Sequence, residues 1–342
     1  MPLRRLAAFP RAHLASLPTP LERLMLGPQR AGAPRLWIKR DDLTGLGLGG
    51  NKARKLEYLC AEALAIGADS LVTVGAAQSN HCRTTAAAGA QLGLETHLVL
   101  SGSRPKTLVG NQLLAHLFGA HLHYTGAPDT HWGALEIARE TLTDELSADG
   151  LRPHSIPMGG STPVGALGYV SAMIEIVEQC QALDISATSI VFTSSSGGTH
   201  AGLVAGRALL RSIGQPAPEL LAIGVAKGVL MGMPDIATLA TDALALIDAD
   251  GVVGSAEVLD DDVVVDTRWI GDDYGVPTAA GDDAIRLAAR TAGLVLDRTY
   301  SGKGLAGLLG NVADGRWSPD DDVIFIHTGG TPTVFVPDDV PA

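Results

Sequence analysis

Cysteine is nearly absent from this 342-residue chain, and the three present, Cys60, Cys82 and Cys180, stand singly with no CxxC pair. That excludes the disulfide ladder of small secreted domains and points to a reducing cytoplasm. Long apolar runs are also missing. Nothing approaches the roughly 20 residues that span a bilayer, and Met1-Pro-Leu-Arg-Arg5 leads to prolines at 10, 18 and 20 instead of a signal core, so no targeting segment is expected. Positive charge is short: 25 Lys and Arg face 37 Asp and Glu, a net charge of -12. Neither nucleic acid nor an anionic membrane is therefore an expected partner, and any anionic ligand needs a local site. His116, His121, His123 and His131 show no HExxH or other paired spacing, and the acidic stretch 248–273 lacks the spacing of a calcium loop. We expect no metal and read that stretch as a solvated surface excursion.

What remains is a chain with 46% hydrophobic residues, 41 glycines and only 4% aromatics, large enough for two domains with small-residue cores. Short β-branched runs at 70–74, 96–100, 189–193, 220–225 and 323–327, with a further possible strand at 35–40, read as strands. Stretches of helical spacing at 53–66, 82–92, 131–146, 165–181, 202–213 and 279–292 alternate with them. This βα rhythm predicts an α/β fold of mostly parallel sheets flanked by helices. The Pro- and Gly-rich stretch 156–165 reads as a crossing point between two lobes.

Lys52 stands directly after Gly45-Leu-Gly-Leu-Gly-Gly-Asn51, at the mouth of a helix. A lysine there can grip phosphate or form an imine with a carbonyl cofactor, and the second role needs a separate phosphate cradle. The run formally matches GxGxxG, but Asp41-Asp42-Leu-Thr intervenes after the strand and no strand-ending acid follows at the right distance, so the match is read as chance. No Walker loop is present: Lys52 follows asparagine, and Ser301-Gly-Lys-Gly304 lacks both the leading glycine and the hydroxyl.

A cradle does occur elsewhere. Ser194-Ser-Ser-Gly-Gly-Thr199 sits between a strand and a helix beginning near His200. There, backbone N–H groups, hydroxyls and the helix dipole converge on an anion. Gly75-Ala-Ala-Gln-Ser-Asn-His81 holds a similar strand-to-helix joint, and Ser79, Asn80 and His81 are candidates to face a ligand, although Ser79 or Asn80 also suits a helix cap. Polar residues gather again at Leu296-Asp-Arg-Thr-Tyr300-Ser-Gly-Lys-Gly304 and Ile326-His-Thr328-Gly-Gly330.

Taken in order with Gly159-Gly-Ser, Gly165-Ala-Leu-Gly-Tyr169 and Tyr274-Gly-Val-Pro277, these motifs resemble the D-cysteine desulfhydrase and 1-aminocyclopropane-1-carboxylate (ACC) deaminase family from about Leu14 to Pro337. The resemblance implies pyridoxal 5'-phosphate and a two-lobed fold of type II, the tryptophan synthase β kind. It also implies a large domain from 1–50 and 164–342, a small domain from 51–163, and a homodimer. Lys52 would hold the cofactor, Asn80 its ring hydroxyl, Ser196, Gly197, Gly198 and Thr199 its phosphate, and Thr328 its pyridine nitrogen. Ser79, Tyr274 and Tyr300 would act on the substrate side, with Gln78, Ser79, His81, Gly160 and Ser301 around the substrate.

Where ring-opening deaminases are similar to one another in carrying glutamate and leucine, this chain has Ser301 and Thr328. A neutral hydroxyl at the ring nitrogen makes a weak electron sink, which suits β-elimination from a small amino acid such as D-cysteine. L-Cysteate sulfo-lyase or another β-eliminating lyase, ACC deaminase, a non-catalytic ligand-binding relative and a dinucleotide oxidoreductase stay open as alternatives. Arg298-Thr, Cys82 and Thr331-Pro-Thr depart from the family pattern, so the substrate pocket is expected to be retuned.

Overall fold

Runs of Val, Ile and Leu that are apolar on both faces need cover on both faces, and each run predicted as a strand lies inside a helix-flanked sheet. The structure, a computed structural model, describes residues 2–27, 32–128, 132–230, 235–247 and 256–337. His131 and residues 248–255 of the acidic stretch lie outside the described residues. In chain order the strands are β1 (Leu21–Arg23), β2 (Arg35–Lys39), β3 (Ser70–Gly75), β4 (Glu95–Leu100), β5 (His121–Tyr124), β6 (Pro153–Ile156), β7 (Ala187–Ser194), β8 (Glu219–Gly224), β9 (Val265–Asp266) and β10 (Asp322–Ile326).

They form two sheets. The larger has the order β1-β2-β10-β7-β8-β9 and is parallel except for the β1–β2 pair. Because β2 pairs with β10, both ends of the chain meet in this sheet. The smaller sheet, β5-β4-β3-β6, is wholly parallel and is built from the chain between them.

Small residues decide how closely the covering helices approach. Helix Pro163–Ala182 packs on helix Gly198–Ser212, where a Cβ on Gly206 would lie 2.6 Å from Met173 Cβ and one on Gly202 would lie 2.5 Å from Tyr169 Cβ. Around them Leu167, Val170, Ile176, Leu203, Val204 and Leu209 are fully buried, and each such side chain contributes about 1.5–3 kcal/mol on leaving water.

The helix Ala279–Ala292 has the predicted bounds, while the helix after the serine-glycine run starts at Gly198, two residues before the His200 expected to open it. Helices Gly110–Leu117, Ile236–Ile247 and Ser301–Ala313 were not legible. The last carries four glycines, at 302, 304, 307 and 310. In the structure they are approach points: a Cβ on Gly307 would lie 2.6 Å from Ile223, and one on Gly310 would collide with Trp269.

Candidate active site

Helix Lys52–Ala65 begins on Lys52 because the glycine-rich run before it is folded back and tied down. Gly45, Gly47, Leu48, Gly49 and Gly50 all have positive φ, and a Cβ on Gly49 would collide with the Asp42 carbonyl. The Arg83 guanidinium donates to the carbonyl of Gly47 and, at 2.9 Å, to that of Gly49. This run therefore serves as a packed turn whose carbonyls are occupied, in keeping with the rejected dinucleotide fingerprint. Next along the chain, Asn51 N–H donates to Thr328 O at 3.0 Å and its Nδ2 to Thr199 Oγ1 at 2.9 Å. Lys52 is thereby placed between the two glycine-bearing strand ends.

Lys52 Nζ donates to Ser196 Oγ at 3.4 Å. Burial, only partly countered by Cys82, lowers its pKa from 10.5 to about 8. The cradle beside it forms where β7 ends and Gly197 turns with φ 86° into helix Gly198–Ser212. Ser161 Oγ donates to Ser196 Oγ at 3.2 Å and accepts from Gly198 N–H at 3.2 Å. Behind the cradle, Lys55 donates to Gly159 O and, at 3.4 Å, to Ser161 Oγ; burial first, then the charge of Lys52, hold its pKa well below the ordinary lysine value.

Across the cavity Ser79 caps helix Asn80–Leu92, its Oγ accepting from Cys82 N–H at 3.2 Å. Asn80 Oδ1 accepts from Asn111 Nδ2 at 2.9 Å, which fixes the orientation of its amide. His81 is buried, with Nε2 2.9 Å from Thr73 Oγ1. Burial, then Lys52 and Lys55, push its pKa well below 6.5. Tyr274 and Tyr300 are hydrogen-bonded hydroxyl to hydroxyl, and the Trp132 ring meets Tyr274 edge-on at 5.0 Å.

Lys52, Ser79, Asn80, His81, Ser196, Gly197, Thr199, Tyr274, Tyr300 and Thr328 thus line one cavity of about 390 Å³, reached from both sheets. Four other expected site residues, Gln78, Gly160, Gly198 and Ser301, are not among those that line it. Gln78 is spent on the backbone, its Oε1 accepting from Asn111 N–H at 2.8 Å and its Nε2 donating to Val109 O at 3.2 Å. Gly160 faces Leu59, and Gly159 lines the cavity in its place. Gly198 backs onto Lys55, and Ser301 is fully buried against Asp297. Lys55, Asn111, Ser161 and His200 were missed. Ser161 closes the Gly159-Gly-Ser motif, His200 follows the serine-glycine run and Lys55 lies one helical turn from Lys52, whereas nothing local marks Asn111.

Among buried polar atoms, His81 Nδ1, Thr193 Oγ1 and His200 Nε2 lack a hydrogen-bond partner, and all three residues line this cavity. Unpaired polar groups on a cavity wall call for a polar ligand. A half-buried amine of lowered pKa, a serine-glycine helix mouth and these atoms fit a phosphorylated carbonyl compound.

Two lobes around a half-buried lysine and an anion cradle define a cofactor-dependent α/β enzyme. Residues 13–329 match the family described as pyridoxal-phosphate dependent enzyme. The chain is 40% identical over 343 residues to a D-cysteine desulfhydrase of Salmonella typhi, covering 98% of each, and 39% identical, at the same coverage, to that of Salmonella newport (strain SL254). A solved structure described as an ACC deaminase homologue superposes with TM-score 0.84 at 35% identity, covering 98% of this chain and 96% of that one. Threonine deaminase isoform 2 from Solanum lycopersicum, with TM-score 0.64 at 16% identity over 96% of this chain and 83% of its own, shares the fold alone. The chain belongs to the family of pyridoxal-phosphate dependent enzymes, and its two-lobed α/β fold is the one expected for type II members.

Proposed function

We propose that this enzyme carries out β-elimination on D-cysteine, releasing hydrogen sulfide, pyruvate and ammonia. The observation that carries the reading is Lys52, a half-buried amine whose pKa is lowered to about 8 and which stands 3.4 Å from the hydroxyl of an anion cradle. Near-complete alignment with proteins named D-cysteine desulfhydrase supports the choice of substrate.

When bound, pyridoxal phosphate supplies the electron sink that lets a Cα–H bond break heterolytically. Lys52 holds the cofactor and then removes the Cα proton. Ser196, Gly197 and Thr199 receive the phosphate at the mouth of helix Gly198–Ser212, where the helix dipole favours negative charge. Asn80, its oxygen already taken by Asn111, has its amide N–H to offer the ring hydroxyl. Thr328, on the cavity wall, would offer its hydroxyl to the ring nitrogen. Glu136, also on the cavity wall, is engaged by Met158 N–H at 2.8 Å and Arg139 Nε at 2.6 Å, so its carboxylate is not poised for that position. Ser79, Tyr274 and Tyr300 stand on the substrate side, with Ser79 or the tyrosine pair returning a proton.

The sheet topology supports a large domain of 1–50 and 164–342 and a small domain of 51–163. No described helix is long and apolar enough to cross a membrane. A homodimer in the cytoplasm that takes a small amino acid as substrate completes the reading. Side-by-side assays on D-cysteine, L-cysteine, L-cysteate and ACC test it. Pyruvate with sulfide from D-cysteine alone is the expected result, with all turnover lost in Lys52→Ala. Sulfite from L-cysteate or 2-oxobutyrate from the cyclopropane acid as the main product would reassign the substrate.

A further inference from the structure

Histidines that look isolated along the chain are gathered by the smaller sheet. The parallel register pairs His97 of β4 with His121 of β5, and Val99 with His123. Because successive strand side chains alternate between faces, Glu95 and His97 share one face with His121 and His123. The rings of His97 and His121 stack at 4.7 Å between centroids and 15° between planes. Their Nε2 atoms lie 3.0 and 3.1 Å from the same Glu95 carboxylate oxygen. We propose that Glu95, His97 and His121 form a binding site for a divalent first-row transition ion of the zinc class.

Three observations carry this. First, the ligand atoms of all three residues lie within 4.8 Å of one another. In a tetrahedral site with bonds of about 2.0–2.2 Å the ligand atoms stand about 3.3 Å apart, so small side-chain adjustments suffice. Second, His97 is only 5% exposed, and the Glu95 carboxylate oxygen 3.0 Å away is poorly aligned as a hydrogen-bond partner for its Nε2. A cation between the two groups would satisfy both. Third, His97 Nδ1 lies 3.1 Å from His123 Nε2, a contact that orients the ring as the outer partner of a metal-bound imidazole does. The donor set of two imidazoles and one carboxylate selects zinc, nickel or copper over magnesium or calcium, which prefer oxygen. Glu95 and His121 are exposed, which leaves a coordination position for water.

The ligands sit in the first half of β4 and at the start of β5, whereas the catalytic cavity lies beyond the C-terminal end of β3. An ion here would tie the edge strand to its neighbour and take no part in the reaction.

The test is to dialyse tag-free holoenzyme against chelator, then titrate it with ZnCl₂ in a calorimeter and count retained zinc by mass spectrometry. One equivalent of zinc is expected for the wild type. Glu95→Gln and His121→Ala, both surface changes, are expected to weaken binding about 10-fold to 100-fold while cofactor absorbance and pyruvate release stay unchanged. Failure of the wild type to bind zinc, or equal binding by both variants, overturns the site. Binding of MgCl₂ as tight as that of zinc overturns the nitrogen-ligand assignment.

Discussion

Ser301 Oγ donates to Asp297 Oδ1 at 2.6 Å, and both residues are buried. The same carboxylate accepts the N–H groups of Thr299, Tyr300 and Ser301 at 2.8–2.9 Å. Ser301, expected beside the substrate, therefore works as part of a carboxylate anchor that holds the Tyr300 turn at the start of helix Ser301–Ala313. An acceptor at a helix mouth satisfies donors that have no intrahelical partner.

Asp297→Ala strands three N–H groups at once, that of Ser301 buried and those of Thr299 and Tyr300 half-buried. A stability loss of about 2–4 kcal/mol in urea unfolding is expected, since each unpaired buried donor costs about 1–3 kcal/mol and relaxation recovers part. Its kcat should fall more than that of Ser301→Ala, which removes only one member of the set. Equal kcat in the two variants would mean that the carboxylate does not set Tyr300.

Lys52 gives a pH prediction with a definite sign. Burial lowers its pKa to about 8, so the neutral amine grows as pH rises through that value, more than two units before an exposed lysine. Cofactor-free enzyme should recover its visible absorbance, on adding pyridoxal phosphate, with a rate that climbs to a midpoint near pH 8. A midpoint near 10.5, the ordinary lysine value, would show the amine to be solvated.

The cradle is tested through space instead of charge. Gly198 has ordinary helical backbone, but a Cβ there would lie 2.5 Å from Lys55 Nζ and 3.0 Å from Ser161 Oγ. Gly198→Ala should push the helix mouth outward and weaken cofactor affinity. Ser196→Ala should weaken it by about 10-fold to 100-fold, the worth of about 1.5–3 kcal/mol for a hydrogen bond to a charged group. Fluorescence titration with pyridoxal phosphate measures both, and unchanged affinity in both would remove the phosphate from this loop.

Legibility in the sequence followed range. The strand-to-helix joints at 75–81 and 194–199 could be read because glycines, hydroxyls and a helix start are written next to one another. Gln78 and Asn80 are two residues apart and equally polar, yet Gln78 turns to the backbone near Asn111 while Asn80 reaches the cavity. Only the fold of helix Gly110–Leu117 against that joint decides between them. Arg83 is hidden for the same reason, since it acts on glycines more than thirty residues earlier.

Arg54, two residues after Lys52, closes a network just as distant in sequence, and it carries the last prediction. Its guanidinium donates to Asp41 at 2.8 and 2.9 Å, to Glu175 at 2.8 and 2.9 Å and to Thr19 at 3.0 Å, while Lys39 Nζ reaches Glu175 at 2.5 Å. Burial works against the Asp41 carboxylate, but the charge and hydrogen bonds of Arg54 outweigh it and hold its pKa below the usual range; Glu175 is lowered in the same way. A depressed carboxylate contributes stability above its unfolded value, about 3.9 for Asp and 4.3 for Glu, and that stability fades as pH falls toward the folded value. Arg54→Ala leaves these acids buried with less counter-charge, so a loss of about 3–5 kcal/mol is expected at pH 7. In the variant, burial makes protonation of Asp41 easier than in the wild type, so the difference between the two should shrink as pH is lowered to about 4. Urea unfolding of both proteins at the two pH values measures it, and a gap that stays constant would mean that Arg54 contributes packing alone.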